Sequence, residues 1–178
     1  ILAGGTGSRL KEITKNTPKP LIRFNNKPFI SYIIDELEKA KIKKVIILAG
    51  YMGSLIKKIF SKNKNINVII EKKPLGTGGS IVSAIKHLDK YFLLFNGDSY
   101  INLNLKSKIL NYSNSYSKIF ITQNKNYKSN KLLNKLYLNK NRKVIFSKSK
   151  SFMYSGVSIF KKSDFSKYKK NTFISLEN

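Results

Sequence analysis

Hydrophobic positions in the first half of the chain follow two alternating periods. Ile30, Ile33, Ile34 and Leu37 recur at the spacing of one helical face, with Asp35, Glu36 and Glu38 on the others and Pro28 at the start. Val45-Ile46-Ile47-Leu48, bounded by Gly50, is instead a continuous β-rich apolar run, as expected of a strand buried on both faces. The alternation then repeats. Residues 54–60 predict a short amphipathic helix and Ile66–Ile70 another buried strand. Gly76 to Gly79 precede a helix carrying Ile81, Val82, Ile85 and Leu88, and Tyr91–Phe95 is a further strand ending at Asn96-Gly97-Asp98. Upstream of all these, residues 1–3 read as a strand end running into Gly4-Gly5-Thr6-Gly7. Strands alternating with helices of this length imply βαβ crossovers, and so an α/β chain with a mostly parallel sheet covered on both faces.

The pattern changes after residue 98. Residues 105–110 predict a short helix. After them come β-rich segments at 119–122, 132–138, 144–146 and 154–160, separated by turns rich in Asn, Lys and Ser, with a hairpin tip at 139–142. These segments read as an antiparallel or mixed extension of the same sheet. Neither an internal repeat nor a linker divides the chain. Residues 1–178 are therefore expected to form a single domain with a βα half over 1–98 and a β-rich half over 99–178.

Composition adds ordinary globular values, 41% apolar and 25% charged, which exclude wholesale disorder. The chain has no cysteine, hence no disulfide framework and no thiolate chemistry. Its apolar runs are far too short to span a bilayer and no leader is recognisable, so a cytoplasmic protein is expected. The charge is unusual: 35 Lys+Arg against 9 Asp+Glu, a formal +26. Nucleic acid is the obvious partner to consider. Yet only Arg9, Arg23 and Arg142 are arginines, and the excess spreads over both halves, with 18 basic residues in 1–98 and 17 in 99–178. Readers of bases and phosphates prefer the bidentate Arg fork. Heavy use of Lys, Asn and Ile is also what A/T-rich codons produce, so a nucleic-acid role is disfavoured, while anionic small substrates stay compatible.

The chemistry concentrates in a few motifs. Glycines after a strand let backbone approach a ligand, and successive N–H groups form an anion-binding nest, which is how Leu2, Ala3, Gly4, Gly5, Thr6 and Gly7 read, with Arg9 placed to neutralise phosphate. The G-x-x-x-x-G-K-[ST] loop is absent, and Gly5-x-Gly7-x-x-Leu10 lacks the third glycine of the dinucleotide pattern. Together with Pro18-Lys19-Pro20-Leu21, Pro74-Leu75-Gly76-Thr77-Gly78-Gly79 and Asn96-Gly97-Asp98, the loop resembles the sugar-1-phosphate nucleotidyltransferases, the nucleotide-sugar pyrophosphorylases. Within them it looks most like the branch of heptose and mannose 1-phosphate guanylyltransferases.

The resemblance implies a Rossmann-like three-layer α/β/α fold with a mixed, mostly parallel sheet. It implies transfer of a nucleotidyl group from a nucleoside triphosphate to a sugar 1-phosphate with release of pyrophosphate, in the making of nucleotide sugars for cell-surface polysaccharide. Catalytic roles fall to Arg9, Lys19 and Asp98, and Asp98 is the expected Mg²⁺ ligand, at the carboxyl end of a strand where open α/β sheets place ligands. Nucleotide binding falls to residues 2–7, to Glu71 and to Gly76, Thr77, Gly78 and Gly79, whose small size would leave room for flat rings. A carboxylate at Glu71 accepts from guanine N1–H and the exocyclic amine, which favours GTP. Uridylyl or thymidylyl transfer by the same fold is the alternative, since some uridylyltransferases are acidic there too. Sugar-phosphate contacts fall to Lys148, Ser155, Gly156 and Glu177, although Ser147 and Tyr154 replace the family's Glu and Asn. His87 reads as packing or surface, and Tyr51, after Gly50, as loop packing. The family's opening residues and its later Asp-Ile-Gly-x-Pro metal segment have no counterpart among the 178 residues, so the expectation is either a fragment, active or inactive, or a shortened chain whose site has a single metal carboxylate.

Overall fold

The computed structural model describes residues 1–101, 105, 117–122, 136–138, 144–146 and 153–176. The βα half runs β1 (Leu2–Ala3), α1 (Lys11–Thr14), β2 (Arg23–Phe24), β3 (Lys27–Pro28), α2 (Phe29–Lys39), β4 (Val45–Ala49) and α3 (Gly53–Phe60). It continues through β5 (Ile66–Ile70), α4 (Gly76–Ala84) and β6 (Tyr91–Phe95). The later strands are β7 (Lys118–Thr122), β8 (Leu136–Leu138), β9 (Val144–Phe146) and β10 (Met153–Lys161).

β1, β4 and β5 pair in parallel, with Leu2 beside Leu48 and Val45 beside Ile66. A parallel bridge from Leu2 to Asn96 attaches β6 on the other side of β1. β10 then lies antiparallel between β6 and β7. The order β5-β4-β1-β6-β10-β7 is the expected mixed sheet, but among the described residues β8 and β9 pair antiparallel, as a hairpin requires, in a separate two-stranded sheet and not as the expected extension of it. The tip of that hairpin, and most of the helix expected at 105–110, lie outside the described residues; Leu105 itself is helical and buried.

Two apolar clusters cover the two sheet faces. Ile30, Ile33, Ile34 and Leu37 of α2 and Ile56 of α3 pack on Val45, Ile47 and Ala49. Ile81, Val82 and Ala84 of α4 pack on Leu48 and Leu94 from the other side. The three-layer α/β/α arrangement follows from that split: a strand apolar on both faces needs a helix on each. Burying each large aliphatic chain contributes roughly 1.5–3 kcal/mol. Helix α2 stops where Lys41 turns into the left-handed region (φ 61°), with Lys41 N–H donating to Glu38 O and Ile42 N–H to Leu37 O. These are the bonds that satisfy a helix's last carbonyls.

Two further expectations need correction. β5 is not buried on both faces; Ile70 is 41% exposed, and among the described residues β5 is an edge strand with no strand beyond it. Gly76 to Gly79 do not precede the fourth helix but form its first turn.

Candidate active site

The glycine loop leaves β1 at its carboxyl end and is clamped by the end of β4. A Cβ on Gly50 would stand 2.7 Å from Gly4 O and 3.0 Å from Gly4 Cα, so two backbones touch where only glycine fits. Tyr51 N–H donates to Gly4 O at 3.3 Å, and the Tyr51 hydroxyl donates to the carbonyls of Thr14 (3.3 Å) and Lys15 (3.1 Å). One residue therefore ties both ends of the loop. Gly7 turns the chain at φ 66°, receives Leu10 N–H on its carbonyl at 2.8 Å and faces the Thr14 side chain. Between these anchors Gly5, Thr6, Ser8 and Arg9 are exposed, and a Cβ on Gly5 would meet nothing within 4 Å. A cavity of about 420 Å³ beside the loop is lined by Thr6, Ser8, Glu12, Thr14, Lys15 and Tyr51.

Two other motifs and Glu71 reach this loop. Pro18 and Pro20 hold a 3₁₀ turn at Lys19–Leu21, which sets Lys19 beside Gly7. From there the Lys19 ammonium donates to Asp98 Oδ2 at 2.5 Å across 79 residues of sequence. Asp98 is delivered by β6, whose end is sewn to β1 by Gly97 N–H donating to Leu2 O at 2.7 Å. Glu71 follows the last β5 residue, its N–H bound to Ala49 O. One carboxylate oxygen lies 3.7 Å from where a Gly4 Cβ would be. The other is buried and has no hydrogen-bond partner among the described residues. A desolvated acceptor without a donor is costly, so a ligand that donates there would gain by it.

The β-rich half approaches through Gly156, whose φ of 85° and missing Cβ let β10 pass Ser99 and Asn96. Gly156 O also accepts from Asn96 N–H at 2.8 Å. Ser155 turns away: its hydroxyl donates to Phe120 O on β7 at 2.7 Å, which leaves only its acceptor lone pairs free for other contacts. Lys148 and Glu177 lie outside the described residues.

The room expected at Gly76, Gly78 and Gly79 is filled by the chain itself. Cβ atoms there would fall 2.6 Å from Ile174 O, 2.6 Å from Ile174 Cγ2 and 2.5 Å from Thr172 O. Ile174 O accepts from Gly78 N–H and Gly79 N–H, Ile174 N–H donates to Leu75 O, and Leu176 N–H donates to Thr77 Oγ1. These glycines are small because segment 172–176 docks on the first turn of α4, an additional role for the motif that local sequence does not signal. Tyr51 packs on the loop as expected, and the sequence signal for Gly50 is position alone, directly after a buried strand on the side where the loop lies.

A family profile described as nucleotidyl transferase matches residues 1–131. The chain belongs to the nucleotidyl transferase family. It is similar to a D-glycero-alpha-D-manno-heptose 1-phosphate guanylyltransferase of Campylobacter jejuni, 40% identical over 116 residues that cover 64% of this chain and 52% of that protein. It is also similar to a mannose-1-phosphate guanylyltransferase catalytic subunit beta of Xenopus tropicalis, 36% identical over 103 residues, 53% of this chain and 29% of that protein. The crystal structure of HddC from Yersinia pseudotuberculosis complexed with GMP-PN superposes with a TM-score of 0.80 at 28% identity, covering 97% of this chain and 80% of that one. The chain spans about half the length of the heptose guanylyltransferases it matches.

Nucleotidyl transferases generally work with a divalent metal. Among the described residues no three His, Cys, Asp or Glu side chains cluster as a protein-only cage. Asp98, half-exposed and with Ser99 Oγ 3.4 Å from its Oδ1, is a hard oxygen donor at the rim of the loop. That fits an ion such as Mg²⁺, which is commonly held by one or two carboxylates, substrate phosphates and water. A second, apolar cavity of about 230 Å³, lined among others by Ile46, His87, Leu88 and Leu94, lies at the amino ends of the strands and contains none of the motif residues. Among the described residues no helix is long and apolar enough to cross a membrane.

Proposed function

We propose that the chain carries the nucleotidyl-transfer site of a sugar-1-phosphate guanylyltransferase of the heptose or mannose type, acting in nucleotide-sugar synthesis in the cytoplasm. The observation that carries this reading is the meeting of Gly7, Lys19 and Asp98 at the carboxyl ends of β1 and β6. A glycine nest, a cation and a hard-oxygen ligand at one point suit a bound triphosphate. Residues 1–98 would form the nucleotide-binding part and 99–178 the sugar-phosphate part of one domain.

A phosphate oxygen of the sugar 1-phosphate attacks the α-phosphorus in line and expels pyrophosphate. That oxygen is already ionised, so no side chain need act as a base. The work of the protein is to position two polyanions and screen their repulsion. Residues 2–7 would cradle the nucleotide from Leu2, Ala3 and the Gly4–Gly7 backbone, while Arg9 and Lys19 neutralise departing pyrophosphate. Asp98 would hold Mg²⁺, which supplies charge neutralisation across phosphate oxygens when bound. Gly76, Thr77, Gly78 and Gly79 would bound the nucleotide from the α4 side together with segment 172–176 docked on them. Lys148, Ser155, Gly156 and Glu177 would take the sugar phosphate, as the resemblance implies. The unpaired Glu71 oxygen supports guanine, which presents two donors side by side, and HddC, to which the chain is similar, was solved complexed with GMP-PN.

Pyrophosphate release across four triphosphates and a set of sugar 1-phosphates tests the reading. GTP should lead with a heptose or mannose phosphate, and Arg9→Ala or Asp98→Ala should each cost at least about 100-fold in kcat. Glu71→Gln should reduce the preference for GTP. Full turnover in both alanine variants refutes the reaction, and a UTP or dTTP preference refutes the role of Glu71.

A further inference from the structure

The Lys19–Asp98 pair has a consequence beyond holding two catalytic groups close together. Pro18 and Pro20 restrain the backbone on both sides of Lys19, and Leu21 N–H bonds to Pro18 O at 2.8 Å. Motion there falls to the side chain alone. Its ammonium occupies Asp98 Oδ2 at 2.5 Å, and both side chains are about 40% exposed (39% and 41%), so the contact sits at the rim rather than in the core. The remaining oxygen, Oδ1, faces Ser99 Oγ at 3.4 Å. An ammonium and a divalent cation compete for the same carboxylate, and a cation left within a few ångströms of the second one repels it.

We propose that Lys19 serves as an internal counter-ion that keeps Asp98 closed to free divalent metal until a triphosphate draws the ammonium away. The inference rests on the reading of Asp98 as the metal ligand. A polyanionic triphosphate beside Gly7 offers Lys19 a stronger partner, and release of Lys19 bares the carboxylate as the phosphates arrive. Nucleotide and metal binding are then coupled, and the coupling is reciprocal. The lysine that would screen pyrophosphate in the loaded state screens Asp98 in the empty one.

Mn²⁺ is the probe, followed by its broadening of the Gly97, Asp98 and Ser99 amide signals in nucleotide-free protein. Lys19→Met should bind Mn²⁺ about three- to ten-fold more tightly than the wild type, the range left once water and salt screen one unit charge. Lys19→Arg keeps the charge and should stay at the wild-type affinity, which separates electrostatics from packing. Equal affinity in wild type and Lys19→Met, or equal tightening in Lys19→Arg, overturns the counter-ion proposal while leaving the proposed reaction intact. Asp98→Asn in the Lys19→Met background should remove the local broadening. If broadening persists there, Asp98 is not the ligand, and the reading on which the proposal rests fails with it.

Discussion

Gly50→Ala isolates the clamp that β4 places on the glycine loop. Gly50 is not among the residues with positive φ, so alanine brings no backbone strain of its own. Its Cβ would stand 2.7 Å from Gly4 O, whereas ordinary contact begins at 3.4 Å, and the atoms in the way are backbone. Loop and strand must separate by about 0.7 Å, the difference of those two distances. The Tyr51 N–H bond to Gly4 O, already 3.3 Å, would be lost with that movement. Overpacking of this kind costs about 1–3 kcal/mol, which for a chain of this size lowers Tm by roughly 2–12 °C. Gly5→Ala is the internal control, because its Cβ meets nothing within 4 Å and its φ is not positive. Thermal unfolding of both variants and calorimetric titration with GTP separate the effects. Gly50→Ala should lose stability and nucleotide affinity together, whereas Gly5→Ala should keep its Tm and lose only affinity. A Gly50→Ala variant within 1–2 °C (roughly) of the wild type would show that the loop has room to yield and refute the clamp.

A further prediction concerns the loop tie. Tyr51→Phe removes one phenol donor shared by Thr14 O and Lys15 O. A hydrogen bond of net value about 0.5–1.5 kcal/mol corresponds to roughly two- to ten-fold weaker GTP binding, with the KM for the sugar phosphate unchanged; equal rises in both constants would argue against a loop-specific role.

The α/β class was legible in the sequence because it depends on period. Ile30, Ile33, Ile34 and Leu37 must share a helical face, and Val45 to Leu48 must be covered on both sides, whatever surrounds them. The glycine loop was legible for the same local reason, since glycines following a strand report backbone conformation directly. What the sequence could not reveal is which backbones meet. The edge position of β5 is set by strand order rather than by its own apolar run. Gly76, Gly78 and Gly79 suggested space for a ligand, yet the space is taken by Thr172 and Ile174, almost a hundred residues away in sequence. Gly50 and Tyr51 acquire their roles only once β4 lies beside β1. The same holds for charge. Along the chain Lys19 is one of many lysines in a +26 background, and only the parallel packing of β1 and β6 brings it to Asp98. Local chemistry determines which segments are strands, helices and tight turns. Pairing across long sequence separations determines which of their polar groups face one another, and the site is made of such pairs.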